Sequence, residues 1–152
     1  MDGLNPDSLQ PDKAIVEDLK LLGSTIDISQ TPDIAPILAI AACGYNGDTV
    51  LSGCKRLAFK ESNRIETTVD MIKALGGNAE ATEDSIVIHG TGKLVGGTVD
   101  PKNDHRIAMA ATIAAQICEK SVSIIGANCV SKSCLNFFMD GTWLGAQMYY
   151  NV

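Results

Sequence analysis

Asp27-Ile28-Ser29-Gln30-Thr31-Pro32-Asp33-Ile34-Ala35-Pro36-Ile37-Leu38-Ala39-Ile40-Ala41-Ala42 is answered 73 residues later by Asp100-Pro101-Lys102-Asn103-Asp104-His105-Arg106-Ile107-Ala108-Met109-Ala110-Ala111-Thr112-Ile113-Ala114-Ala115. At that offset Asp27, Ile34, Ala35, Ile40, Ala41 and Ala42 recur as Asp100, Ile107, Ala108, Ile113, Ala114 and Ala115, and Gly53 recurs as Gly126. A strand end, a polar loop, an Ala-rich helix and a short strand therefore come twice, which marks a repeated unit. The first copy predicts a strand at Thr25 to Ile28, a helix from about Asp33 to Cys43, a strand at Thr49 to Leu51 and a helix from Glu61 to Leu75. A hairpin follows, Ala79 to Thr82 and Ser85 to His89 around a turn at Glu83-Asp84.

The unit is thus β-α-β-α-β-β, and the fold class is α/β. A second copy begins at Thr98 and runs as far as its own second helix near Phe138. Residues 1–24 end a preceding unit, 25–97 form one full unit and 98–152 supply most of the next. The segment from Ser8 to Gly23, with Ile15, Val16, Leu19 and Leu22 at helical spacing, matches Glu61 to Gly76, with Ile65, Val69, Ile72 and Leu75. Each ends in Leu-Gly, the glycine releasing the chain through a left-handed conformation. The match exposes a gap: 24 positions separate Gly76 from Asp100, whereas Gly23 and Asp27 are four apart. The first helix lacks the hairpin that its sister carries.

Composition narrows the function. The 152 residues are 45% apolar and suit one globular domain rather than a disordered tail. Twelve Lys and Arg against 18 Asp and Glu leave a net charge of -6, which argues against a general nucleic-acid partner. The longest apolar run, Ile34 to Cys43, is far below the roughly 20 residues that span a bilayer, so no membrane partner is expected. Met1 to Gln10 carries no signal-peptide pattern, and a cytoplasmic location is the expectation. Cys43, Cys54, Cys118, Cys129 and Cys134 form no C-x-x-C and lie apart from His89 and His105, so the cysteines read as small apolar residues. No metal site is expected.

The chemistry gathers at helix starts. Lys60 and Arg64, His105 and Arg106, and Lys132 each stand where a helix is expected to begin. The helix dipole disfavours cations there, and their recurrence suggests that an anionic ligand, phosphate or carboxylate, supplies the missing charge. Lys60 and Arg64 at i,i+4 share a helical face, with Glu61 beside them. Plainer readings stand next to these: a solvated charged helix start around Lys60, Asp104 as an N-cap with surface neighbours, Ser131 capping beside Lys132, and His89 as a structural strand-end residue. Asp33 is by default a first-turn acid, yet as the offset partner of Arg106 it sets opposite charges at one position of the unit. A base beside cationic anchors is what proton transfer around an anionic substrate requires.

Pro32-Asp33, Lys60-Glu61-Ser62-Asn63-Arg64, Asn103-Asp104-His105-Arg106-Ile107-Ala108-Met109 and Val130-Ser131-Lys132-Ser133 stand in the order and approximate spacing of 5-enolpyruvylshikimate-3-phosphate synthases, which the chain resembles over nearly its whole length. Gly3-Leu4-Asn5-Pro6 and Ser8-Leu9-Gln10 look like that family too. The UDP-N-acetylglucosamine enolpyruvyl transferases share the architecture, but the Lys-Glu-Ser-x-Arg and Asp-His-Arg pairing is more similar to the shikimate enzyme. A non-catalytic anion-binding or interaction module derived from the fold is the rival outside enzymes.

The resemblance implies repeated β-α-β-α-β-β units of the enolpyruvyl transferase type, an inside-out α/β barrel, of which this chain is part of the C-terminal lobe. It also implies transfer of the enolpyruvyl group of phosphoenolpyruvate to the 5-hydroxyl of shikimate 3-phosphate, with release of phosphate and no cofactor. Asp33 would act on the attacking hydroxyl and Glu61 on the proton at the methylene carbon, while Lys60 bridges the two substrates. Arg64 and Arg106 would clamp the phosphoenolpyruvate carboxylate, with Lys132 on its phosphate and His105 nearby. The missing N-terminal lobe becomes an expected partner, the chain alone is expected to be inactive, and exposed edges make self-association an expectation. The chain departs from the family pattern at Asn63, commonly Asp, at Ala58, commonly Arg, and at Cys134-Leu135-Asn136-Phe137, commonly Phe-Pro-x-Phe.

Overall fold

The computed structural model describes residue 5 and residues 7–149. Gly3, Leu4 and Pro6 of the amino-terminal resemblance lie outside the described residues.

Strand β1 (Thr25–Asp27), helix α2 (Ala35–Cys43), strand β2 (Asn46–Ser52), helix α3 (Arg64–Ala74) and the hairpin β3 (Asn78–Ala81) and β4 (Ser85–Thr91) form the first full unit. Helix α1 is the short turn Ile15–Asp18 that precedes it. The sheet order is β1-β2-β4-β3, with β1 parallel to β2 and the other pairings antiparallel. The second unit repeats the opening: β5 (Gly97–Val99), helix α4 (His105–Ala114) and β6 (Val122–Ile124), with β5 parallel to β6, followed by helix α5 (Phe137–Trp143). The repeat extends to register. Thr25 pairs with Val50 and Ile26 with Leu51, and 73 residues on Thr98 pairs with Ser123 and Val99 with Ile124.

The copies differ where proline intervenes. The first helix enters through a 3-10 turn at Pro32–Ile34 before α2, whereas the equivalent residues His105 to Ile107 already belong to α4. Pro36 has no N–H to donate back to Pro32, so the first turn cannot close as an α-helical one. The segment read as one helix from Ser8 to Gly23 is a chain of short turns, 3-10 at Pro11–Ala14, α1, and 3-10 at Leu19–Leu21. Ile15, Leu19 and Leu22 hold it against the core.

Helix α2 is apolar on nearly every side because it is sandwiched between the sheet and α4. Leu38, Leu51, Met71, Ile72, Leu75, Ile86, Ile88 and Ile107 are fully buried in one continuous core. Gly23 and Gly76 end their helical segments at φ +89° and +81°, in the left-handed region that the Leu-Gly pattern requires. After Gly76 the chain makes the hairpin before reaching β5; after Gly23 it enters β1 with only Ser24 between.

The cysteines are free, with Cys43, Cys54 and Cys129 buried. Burial pushes the Cys43 and Cys54 thiols up to about 12, which keeps both neutral and unreactive. Among the described residues no helix is long and apolar enough to cross a membrane.

Candidate functional site

The packing of α2, α3 and α4 brings the entrances of these helices together, and with them charged side chains from distant parts of the sequence. Asp33 lies in the 3-10 turn that leads into α2, Arg64 is the first residue of α3, and His105 and Arg106 open α4. Lys60 and Lys132 reach the same place by other routes. Lys60 is in extended backbone four residues before α3 begins, and Lys132 closes the 3-10 segment Ala127–Lys132. Two expectations are corrected here. Lys60 and Arg64 do not share a helical face, because Asn63 keeps the chain non-helical until Arg64, and Lys132 does not stand at a helix start.

Asp33 is the meeting point of three cations. Its Oδ1 lies 2.9 Å from Lys60 Nζ and 2.7 Å from Arg64 Nη1, and its Oδ2 lies 3.7 Å from Arg106 Nη2. Burial works to raise its pKa, but the Lys60 hydrogen bond and the charges of Arg106, Lys60 and Arg64 outweigh it and hold the carboxyl below its ordinary value.

Arg64 is 3% exposed, and its deepest partner is Asp104, which has no exposed surface. Nε donates to Asp104 Oδ2 at 2.7 Å and Nη2 to Oδ1 at 3.1 Å, a bidentate pair. Asp104 also accepts from Ser62 Oγ at 2.9 Å and, as the N-cap of α4, from the Arg106 backbone N–H at 3.0 Å. Burial raises its pKa, and the Arg64 and Ser62 hydrogen bonds more than reverse that.

Glu61 forms the other half of the site. Its Oε1 lies 2.8 Å from His105 Nδ1, a close contact without hydrogen-bond alignment that leaves this buried nitrogen without a hydrogen bond, and its Oε2 lies 3.4 Å from Lys132 Nζ. Burial raises the Glu61 pKa, while the His105 and Lys132 contacts bring it below the ordinary value. Lys132 Nζ is fixed by the Asn103 carbonyl at 2.6 Å, and Asn103 and its neighbour Lys102 both have positive φ, +61° and +50°. Arg106 Nη1 donates to Asp12 Oδ2 at 3.1 Å and to the Asp33 carbonyl at 3.3 Å.

The structure thus brings together Asp33, Lys60, Glu61, Arg64, His105, Arg106 and Lys132, the residues singled out in the sequence, and adds three that were not: Asp12, Ser62 and Asp104 as a second-partner acid. Ser62 and Asp104 stood inside the quoted motifs, Asp104 with an N-cap reading besides, but neither was given a site role, and Asp12 carried no signal. The expectation that a ligand must supply the missing negative charge is also corrected. Lys60, Arg64, Arg106 and Lys132 are faced by Asp12, Asp33, Glu61 and Asp104. An anion entering this site competes with, or shares donors with, internal carboxylates.

Glu61, Asp104 and His105 place ligand atoms within 4.8 Å of one another, close enough for one metal ion. Asp104 is already saturated by Arg64 and Ser62, and Lys132 stands beside Glu61, so these carboxylates are engaged by the chain's own donors. An apolar groove of about 290 Å3, lined by Ile15, Leu19, Ile37, Ile40, Ile113 and Ile117, contains none of the site's charges. His89 stays apart, with Nδ1 2.8 Å from Asp48 on the neighbouring strand.

Comparison with known proteins places these residues in a family context. The family model for EPSP synthase (3-phosphoshikimate 1-carboxyvinyltransferase) matches residues 8–140. A 3-phosphoshikimate 1-carboxyvinyltransferase of Clostridium acetobutylicum is 40% identical over 163 residues, covering 96% of this chain and 38% of the relative. One from Brachyspira hyodysenteriae is 34% identical over 167 residues, covering 96% of this chain and 40% of the relative. Both alignments are longer than the 152-residue chain, so the relatives contain positions that this chain lacks. An EPSP synthase structure from Acinetobacter baumannii superposes with a TM-score of 0.75 at 30% identity, over 82% of this chain and 29% of that one. The chain spans about two fifths of the length of the curated relatives it matches.

Proposed function

The chain belongs to the EPSP synthase family, and from that premise we propose that its charged cluster is the C-terminal-lobe half of an active site that transfers the enolpyruvyl group of phosphoenolpyruvate to the 5-hydroxyl of shikimate 3-phosphate. The observation that carries the reading is the convergence of all four family motifs on Asp33 and Glu61, the two carboxylates through which the cations are linked.

The chemistry has two parts. Addition forms a C–O bond between the 5-oxygen and C2 of phosphoenolpyruvate, with a proton leaving the hydroxyl and another joining C3. Elimination then breaks the C2–O bond to phosphate and removes a proton from C3. Asp33, held ionised by its cations, is suited to take the hydroxyl proton. Glu61 is suited to handle the C3 proton: His105 and, less strongly, Lys132 hold its carboxyl below the ordinary value, and an incoming phosphate that engages both eases that hold, so the acid form becomes accessible as substrate binds. Arg106, a third exposed, offers a planar donor to the carboxylate, which Arg64, buried and bound by Asp33 and Asp104, reaches only by sharing its Asp33 contact; Lys132 and His105 meet the phosphate side, and Lys60, paired with Asp33, bridges the two substrates. Preorganised cations stabilise the charge of the tetrahedral intermediate without reorganising.

Substrate binding in this reading also needs the N-terminal lobe as partner. The solvent-facing Leu135, Trp143 and Leu144, each more than 80% exposed, are apolar surface that such a partner or a second copy would cover. The relatives' names carry the shikimate reaction, and the nucleotide-sugar alternative is not favoured. The test is phosphate release from phosphoenolpyruvate and shikimate 3-phosphate, assayed with this chain alone and after adding the separately produced N-terminal lobe of the Clostridium acetobutylicum relative. Negligible turnover alone and measurable turnover with the lobe is the expected result. No turnover and no calorimetric binding of either substrate in the mixture would leave a non-catalytic interaction module.

A further inference from the structure

Arg106 is held by a residue to which the proposed reaction gives no role. Asp12 lies 94 positions away, in the 3-10 turn Pro11–Ala14, and its Oδ2 accepts from Arg106 Nη1 at 3.1 Å. That turn is rigid at both ends, with Pro11 fixing its first φ and Ile15, Leu19 and Leu22 packing the following residues on the core. The Asp33 carbonyl takes the same Nη1 at 3.3 Å. Two acceptors on one nitrogen fix the plane of the guanidinium, and Arg106 Nε makes no hydrogen bond among the described residues.

We propose that Asp12 is a positioning residue: it holds the Arg106 guanidinium in the plane from which its remaining edge meets the carboxylate of phosphoenolpyruvate. The inference rests on the reading of Arg106 as a carboxylate anchor. It runs against simple electrostatics. A carboxylate about 3 Å from a guanidinium lowers the positive potential that an incoming anion sees, so an Asp12 that acted by charge alone would weaken the binding of every anion. A positioning Asp12 strengthens the binding of a planar carboxylate that needs a bidentate partner. It gives nothing to an anion served by the point charge of Lys132.

The sign of one substitution separates the two. Phosphoenolpyruvate and inorganic phosphate are titrated calorimetrically into the full chain and into its Asp12→Asn variant, each mixed with the N-terminal lobe of the Clostridium acetobutylicum relative, and 15N relaxation of the Arg106 Nε–H is followed in both. The expected result is phosphoenolpyruvate affinity down about fivefold, phosphate affinity unchanged or higher, and Arg106 Nε more mobile. In an Arg106→Lys background the Asp12→Asn change then has no effect on phosphoenolpyruvate. Equal or tighter phosphoenolpyruvate binding in Asp12→Asn, or an Arg106 Nε as ordered as in the parent chain, overturns the proposal. If the parent chain binds no phosphoenolpyruvate even with the lobe present, the carboxylate-anchor reading fails separately, and the Nε relaxation alone decides whether Asp12 positions Arg106.

Discussion

Asp33 and Arg106 occupy the same position of the repeat, 73 residues apart, and they touch: Arg106 Nη1 donates to the Asp33 carbonyl at 3.3 Å and Nη2 lies 3.7 Å from Asp33 Oδ2. The two copies of the unit set their helix entrances face to face, and the sequence places an acid on one and a base on the other. Asp33 also bears on Lys60 and Arg64, so it restrains three cations at once. Replacing it by Asn leaves those cations in place with one counter-charge fewer. Asp33→Asn is expected to bind inorganic phosphate more tightly, by about 1 kcal/mol or roughly fivefold, with a steeper salt dependence. Calorimetric titration at two ionic strengths checks it, and unchanged affinity would show that Asp33 does not restrain the cluster.

Arg64 and Asp104 form the buried part of the network, with 3% and 0% of their side chains exposed. Removing one member of such a pair strands the other charge in a desolvated place. Arg64→Met is expected to lower the unfolding free energy by about 3–5 kcal/mol, and Arg64→Met combined with Asp104→Asn to recover a large part of that loss. Urea titration of the parent, the two single variants and the double variant measures both quantities. A double variant as unstable as the sum of the singles would mean that the two side chains act independently.

The same carboxylates give stability a direction in pH. Asp33, Glu61 and Asp104 all titrate below their ordinary values of 3.8 and 4.5 in the folded chain. The unfolded chain therefore takes up protons first as pH falls. The contribution of these groups is fully present above the ordinary carboxylate range and is lost as pH drops through the depressed folded values. Unfolding free energy is expected to fall steeply below about pH 4, and the slope to become shallower in Asp104→Asn. Denaturant melts between neutral and acidic pH test this; a variant with the parent's slope would remove Asp104 from the account.

What could be read from the sequence was whatever is local or periodic. The offset from Asp27 to Asp100 marked the order of elements, and the structure adds that the pairing register repeats with it, because similar strand ends and helix faces solve the same packing problem twice. The start of α3 was misplaced because Ser62 spends its hydroxyl on Asp104 and Thr67, a choice made by residues 42 and 5 positions away. The counter-charges escaped for the same reason. Arg64 finds Asp33 and Asp104 at separations of 31 and 40 residues, and Arg106 finds Asp12 at 94. No helical or strand period connects such positions, so the cations looked unpaired until the chain was folded.

Gly53 and Gly126 are also equivalent in the repeat, and both are left-handed, at φ +74° and +63°. A side chain at either position must bear the cost of that conformation, about 1 kcal/mol relative to glycine. Their surroundings differ. A Cβ on Gly53 would stand 2.6 Å from Asp27 Oδ1 and 2.9 Å from Ser29 Cβ, inside the turn where Asp27 Oδ1 accepts from the Ser29 N–H, whereas a Cβ on Gly126 meets only Asn128 Oδ1 at 3.9 Å. Relieving the first clash means breaking the Asp27 turn that leads from β1 into the Asp33 segment; the second position has room. Gly126→Ala is therefore expected to lose about 1 kcal/mol and Gly53→Ala about 2–4 kcal/mol. Thermal or urea unfolding ranks the pair. Equal losses would mean that the Asp27 turn gives way freely and does not hold Asp33 in place.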